Sequence, residues 1–112
     1  MSSKDAYDKV NELIKRCEKC DTEELRNECK QYSKSISVAI NNAYTSAQDC
    51  SQSIINHLYM LGKISGELSL FTKKYLNQEL RYEIDGILAE IRKIVDTDIT
   101  QYLQKKCRCT IR

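Results

Sequence analysis

At 112 residues, with 18 Lys and Arg against 16 Asp and Glu for a net charge of +2, the chain suits one domain and is too balanced to expect nucleic acid or an anionic membrane as partner. The absence of proline, together with only three glycines, favours helix. No run approaches the eighteen or so apolar residues that a bilayer span needs, and six cysteines in so short a chain suggest disulfides and therefore an extracellular setting.

Ser2 or Ser3 can cap a first helix whose apolar positions, Ala6, Tyr7, Val10, Leu13, Ile14 and Cys17, recur at three- and four-residue spacing. That helix is expected to run to about Cys20. Asp21 and Thr22, followed by Glu23 and Glu24, combine a cap with first-turn acids, and Asp21 with Glu24 has capping-box spacing. A second helix therefore begins there, and its apolar series continues through Ile36, Ile40, Ala43, Ala47, Ile54, Leu58 and Leu61. Unbroken from Thr22 to Leu61 it would be about 60 Å long, too long for a compact domain of this size. Ser33-Lys34-Ser35, whose side chains compete for backbone hydrogen bonds, is the expected break.

Between Ser35 and Gly62 the only formally charged side chain is Asp49. So little charge predicts a central helix that touches neighbours on more than one side. The Asn, Gln and Ser side chains of this stretch suit interhelical contacts in water and would be costly in lipid. Gly62 and Gly66 are expected to mark a turn into a helix carrying Leu68, Phe71, Tyr75 and Leu76. Asn77 either starts another helix or bends this one. The strongest amphipathic pattern follows, Leu80, Ile84, Ile87, Leu88, Ile91, Ile94 and Val95, with charged residues interspersed on the other face. Asp96-Thr97-Asp98 reads as a break and recap before Ile99, Tyr102 and Leu103, and a basic, cysteine-containing tail occupies 105–112. The expected fold is all-α, a single domain over 1–112 built as a compact bundle of four to five antiparallel helices stapled by disulfides.

Cys17, Cys20, Cys29, Cys50, Cys107 and Cys109 are the disulfide candidates, with fifteen possible pairings. Cys17 can face Cys29 across the Asp21-Thr22 turn, which leaves Cys20, Cys50, Cys107 and Cys109 to fasten the tail to the bundle. A rival reading makes Cys17, Cys20, Cys107 and Cys109 four zinc ligands, although Glu18-Lys19 lies in a helical pattern where zinc knuckles place a tight turn. Another takes Cys109-Thr110-Ile111-Arg112 as a prenylation box, although arginine is not an expected final residue for that signal. The first twenty residues carry charges where a signal peptide has an apolar core; secretion is still expected, with Met1 read as an addition ahead of a mature Ser2.

No catalytic constellation is visible, so the chain is expected not to be an enzyme and to need no cofactor or metal. His57 is the single histidine, without a serine, acid or metal-binding motif around it. The acid pairs Glu23-Glu24 and Glu83 with Asp85 read as helix-start and solvated positions. The scattered glycines form no phosphate loop. Seven tyrosines against one phenylalanine suit half-buried sites and interfaces. Most are expected to border the core. Tyr44, Tyr82 and Tyr102, which fall off the strongest inner face, are the candidate partner contacts, joined by Arg108 and Arg112 of the tail.

This layout of helices and cysteines resembles the small, disulfide-linked, all-helical salivary proteins of blood-feeding insects of the anophensin and albicin type. The likeness covers the whole chain in size, helix content and cysteine style. It implies a secreted inhibitor that binds a host plasma protein of the complement or contact-coagulation systems. Two other functions fit the residues: an intracellular helical adaptor with reduced, zinc-bound or lipidated cysteines, and a small carrier of a hydrophobic ligand.

Overall fold

A computed structural model describes residues 4–106. Helix α1 (Lys4–Cys17) buries Ala6, Val10, Leu13 and Cys17, a row that repeats every three to four residues on one face. It stops at Cys17, three residues earlier than the periodicity suggests. The amides of Glu18, Lys19 and Cys20 donate to the carbonyls of Lys15, Arg16 and Cys17, an i to i−3 tightening that ends the regular helix. The chain can then turn and start α2 (Glu23–Gln48) at Thr22, which is extended at φ −118° and ψ 156° and accepts from the Leu25 amide at 3.1 Å. Thr22 is the cap, and Glu23 and Glu24 lie in the first turn as expected.

Helix α2 continues without a break through Ser33-Lys34-Ser35. Ser33 is fully buried, and its hydroxyl donates to the Cys29 carbonyl one turn back at 3.0 Å. The competing hydrogen bond is absorbed inside the helix and does not open it. The chain escapes the length limit farther on, at 49–53, after 26 helical residues or about 39 Å. There Ser51 donates to the Ser46 carbonyl at 2.9 Å and Cys50 donates to that of Ala47 at 3.0 Å. These are the paired 6→1 and 5→2 bonds of a Schellman cap. Cys50 occupies the left-handed position at φ 51°, where glycine is the usual residue. Hydroxyls of Ser46, Ser51 and Ser53 link up at 3.2 and 2.8 Å to close the turn.

Helix α3 (Ile54–Tyr75) contains both Gly62 and Gly66. Neither has positive φ, so the expected turn is absent from that position. It comes instead at Leu76, extended at φ −106° and ψ 157°, and Asn77, whose side-chain oxygen accepts from the Leu80 amide at 2.8 Å. Asn77 thus caps α4 (Gln78–Lys106), which buries Leu80, Ile84, Ile87, Leu88, Ile91, Val95 and Ile99. The expected break at Asp96-Thr97-Asp98 does not occur. Asp98 is held by a tertiary partner, the Tyr44 hydroxyl, which donates to it at 2.7 Å.

The result is an all-α bundle of four helices, 49 × 21 × 18 Å, in which α2 packs on α3, α1 and α4, and α4 closes the bundle against α1. Short turns make sequential neighbours antiparallel. The sparsely charged stretch from Ser35 to Gly62 is no central helix. It is the second half of α2, the 49–53 turn and the start of α3. Val38 (60 %), Ile55 (70 %), Tyr59 (70 %) and Met60 (43 %) all lie substantially exposed along it. Its exposed positions mix these apolar side chains with uncharged polar ones such as Asn41, Gln48, Gln52 and Asn56.

Replacing exposed Ser35 by proline distinguishes a continuous helix from a break. In the interior of α2 it should cost about 3 kcal/mol or more, read as a lowered urea midpoint, whereas an effect below about 0.5 kcal/mol would place a break there.

Candidate functional site

The turn between α1 and α2 is built around a covalent link. Cys17, the last residue of α1, is bonded to Cys29 in the second turn of α2, with their Cα atoms 5.5 Å apart. Both are fully buried. This is the pairing expected across the Asp21-Thr22 turn. The Lys30–Glu18 ion pair and an Arg26 hydrogen bond of 2.8 Å to the Cys20 carbonyl tie down the same segment. Cys20 itself is a buried free thiol, pushed above its usual pKa by burial. With Cys17 committed to Cys29, Cys17 and Cys20 do not act as two thiolate ligands of one metal. Among the described residues, no three His, Cys, Asp or Glu side chains cluster to hold an ion.

At the other end of the bundle, the Cys50 sulfur lies 4.0 Å from the Lys106 carbonyl oxygen. The α2–α3 turn and the end of α4 therefore meet. Cys107, Cys109, Arg108 and Arg112 lie outside the described residues. Cys20 stands a full α2 length away, about 39 Å, so the expectation that it joins Cys50 in fastening the tail is corrected: the tail starts at the wrong end of the molecule for it.

The three tyrosines singled out as contacts have different fates. Tyr44 is only 5 % exposed, because it lies beside Ala43 and Ala47 on the side of α2 that faces α4. Its hydroxyl is spent on Asp98, and burial, reinforced by that carboxylate, raises its pKa well above the usual value. It is a core residue, so its assignment as a contact is corrected. Tyr102 is half-buried and packs against the core. Tyr82 is 58 % exposed, with the Arg81 guanidinium 5.6 Å from its ring centroid and Gln78 donating to its hydroxyl at 2.8 Å.

The larger apolar surface is elsewhere, along the outer seam between α2 and α3. One hollow of about 370 Å³ is walled by Val38, Met60 and Ile64, with Lys34, Asn42 and His57 around it. A second, of about 330 Å³, has Phe71 and Tyr75 on one side and Glu28 and Tyr32 on the other. The Tyr32 and Phe71 rings are 5.6 Å apart, and Phe71 and Tyr75 5.2 Å, both tilted, a favourable aromatic arrangement. His57 thus lies at an apolar hollow with no acid among its lining residues. The exposed Val38, Ile55, Tyr59, Met60 and Leu70 escaped the sequence reading. Their signal was available: each lies off the inner rows of α2 and α3, and all but Leu70 fall in the stretch whose one formal charge is Asp49.

In comparisons with known proteins, no family model, no curated protein and no solved structure matches the chain.

Two outcomes follow from this geometry. Tyr44→Phe should cost about 1.5 kcal/mol at neutral pH by stranding the Asp98 acceptor. Because folding raises the Tyr44 pKa above its unfolded value near 10, its contribution is intact below pH 10 and declines as pH rises beyond it. Urea titrations from pH 7 to 11 should therefore show an alkaline loss of stability that the phenylalanine variant lacks in part; identical slopes would refute the role. Separately, iodoacetamide should leave Cys20 unmodified in the folded, unreduced protein and alkylate it once denaturant is added, while peptide mapping recovers the Cys17–Cys29 link.

Proposed function

We propose that this chain is a secreted, non-enzymatic binding protein that inhibits a host plasma protein of the complement or contact-coagulation systems. The observation that carries a binding function is the distribution of exposed apolar side chains. Six of the seven large ones, Val38, Ile55, Tyr59, Met60, Leu70 and Tyr75, project from the α2–α3 hairpin, and only Tyr82 comes from α4. Scattered single apolar residues are ordinary on a surface, whereas such a concentration marks a contact face.

The other half of the molecule has a different character. Lys9 pairs with Glu12 and Glu90 at 3.0 and 2.6 Å, and Arg16 and Lys19 both approach Glu83. Those side chains are engaged with one another across α1 and α4, which leaves the hairpin as the surface with unmet apolar contacts. The Cys17–Cys29 disulfide supports an extracellular setting, since such bonds persist in oxidising compartments. A bridge from Cys50 to a tail cysteine would add a second fastening. The resemblance to insect salivary inhibitors supports the plasma partner. Carriage of a small hydrophobic ligand fits less well, because the hollows lie on the outside of the bundle instead of within it.

The test is capture from human plasma on immobilised, oxidised protein, paired with assays of complement lysis and contact activation. One complement or contact component should be retained and its assay inhibited. If neither assay changes at about 10 μM protein, above the affinity range of ordinary specific complexes, the plasma reading is wrong. Six free thiols by mass spectrometry in natively produced protein would rule out secretion.

A further inference from the structure

Helices α3 and α4 leave a hollow of about 270 Å³ between them, and two contacts fix its orientation. At one end, a Cβ placed on Gly62 of α3 would meet the Arg92 guanidinium of α4 at 3.4 Å. At the other, the Ser69 hydroxyl of α3 donates to the Asp85 carboxylate of α4 at 3.0 Å. The hollow thus has a cation at one end and a carboxylate at the other, two helical turns apart on α4, or about 10.5 Å. Its middle is bare. A Cβ on Gly66 would find no atom within 4 Å, and the facing residues of α4 are Leu88 and Ala89.

The polar groups of the hollow are not used up by the fold. Ser33, Ser46 and Thr72, the other buried polar side chains among the described residues, all hydrogen-bond at 2.7 to 3.2 Å. Ser65, which lines the hollow and is only 6 % exposed, has a hydroxyl with no partner. Buried hydroxyls are seldom left so. Arg92 has no hydrogen bond or ion pair among the described residues. Its Nη1, Cζ and Nη2 lie 3.4, 3.7 and 3.8 Å from the Gly62 Cβ position, so the flat face of the group rests on the glycine and its N–H fork is left to bind. Asp85 is steadied by Ser69 and, at 3.9 Å, by Arg81; a carboxylate so held keeps lone pairs for a further donor.

We propose that this hollow binds a small dipolar molecule with an aliphatic spacer, an ω-amino acid or its equivalent, whose carboxylate takes the Arg92 fork and whose ammonium donates to Asp85. Allowing about 2.9 Å at each end for a charge-assisted hydrogen bond leaves about 5 Å between the charged groups of the ligand, the span of three methylenes, which cross Gly66, Leu88 and Ala89. Ser65 donates to the same carboxylate, since its short side chain can turn between staggered rotamers without moving the backbone. A simple anion would leave Asp85 unmatched, and a simple amine would leave Arg92 and Ser65 so. The volume lies just below the range of about 300 to 1,000 Å³ usual for ligand pockets, as suits so small a ligand. Gly62 and Gly66 follow Met60 and Ile64 by two positions, about 200° round α3. The site therefore faces away from the hollow at Met60, goes beyond the plasma-protein reading and is independent of it.

The test is an NMR titration of the full oxidised, ¹⁵N-labelled chain with 4-aminobutyrate, with butyrate and butylamine as controls. The Gly62 and Gly66 amide signals should shift together with a Kd of about a millimolar, while that of Gly86, which does not line the hollow, stays in place. Butyrate and butylamine should each bind at least about tenfold more weakly. Gly66→Leu puts a side chain into open space at a residue without positive φ; it should abolish the shifts and keep the helical circular dichroism. Arg92→Gln and Asp85→Asn should each weaken binding about tenfold, and Ser65→Ala about fivefold. No shift at about 50 mM ligand, an equal response to either control, or wild-type affinity in Gly66→Leu or Ser65→Ala would each overturn the proposal.

Discussion

The fold depends on one row of side chains on α2: Cys29, Ser33, Ile36, Ile40, Ala43 and Ala47, all fully buried. Every other helix packs against α2. The row is narrow. Its alanines and its serine are small enough to let neighbouring helices approach closely, and its isoleucines are fully buried in the apolar core. Because this face is engaged on three sides, the α1–α2 turn must be tight, and the Cys17–Cys29 link sits where that turn would otherwise be free to open.

The same constraint explains why the exposed apolar side chains lie where they do. A helix whose inner face meets three neighbours in a four-helix bundle has one remaining outward strip, and on α2 that strip includes Lys34, Val38 and Asn42. Helix α3 presents Met60 and Ile64 beside it. Ion pairs knit α1 to α4 across the other side of the molecule. The ion pairs between helices therefore lie mainly on the α1–α4 side, and the large exposed apolar side chains mainly on the α2–α3 side.

Much of the fold was legible in the residues, for identifiable reasons. Inner rows and the Thr22 start rest on local backbone chemistry, which the sequence displays directly, while Asn77 carries a signal that fits a helix start or a bend equally. The misplacements at Ser33, Gly62 and Asp98 share a different cause. Each residue carries a local signal for a helix end, and each is reconciled by its surroundings: Ser33 bonds within its own helix, Gly62 lies against the Arg92 side chain, and Asp98 accepts from Tyr44, 54 residues away. Cys50 shows the converse, a real helix end formed by a residue that does not announce one. The low charge from Ser35 to Gly62 was noticed but assigned to burial, because composition cannot tell an inside from an uncovered outside. Tyr44 and Tyr59 are alike in sequence terms, and only the direction of their helix faces separates a core residue from a surface one.

The turns themselves have a kinetic consequence. The α2–α3 reversal is made by a Schellman cap and serine hydroxyls, and no proline occurs anywhere in the 112 residues. Folding is thereby relieved of peptide-bond isomerisation, the step that delays many small domains by tens of seconds. Pairing of neighbouring helices is short-range, so the chain's slowest search is the closure of α4 onto α1, the one large contact between segments far apart in sequence. The α2–α3 hairpin, with the apolar side chains exposed along it, belongs to the local part of that process and can pair before the bundle closes behind it.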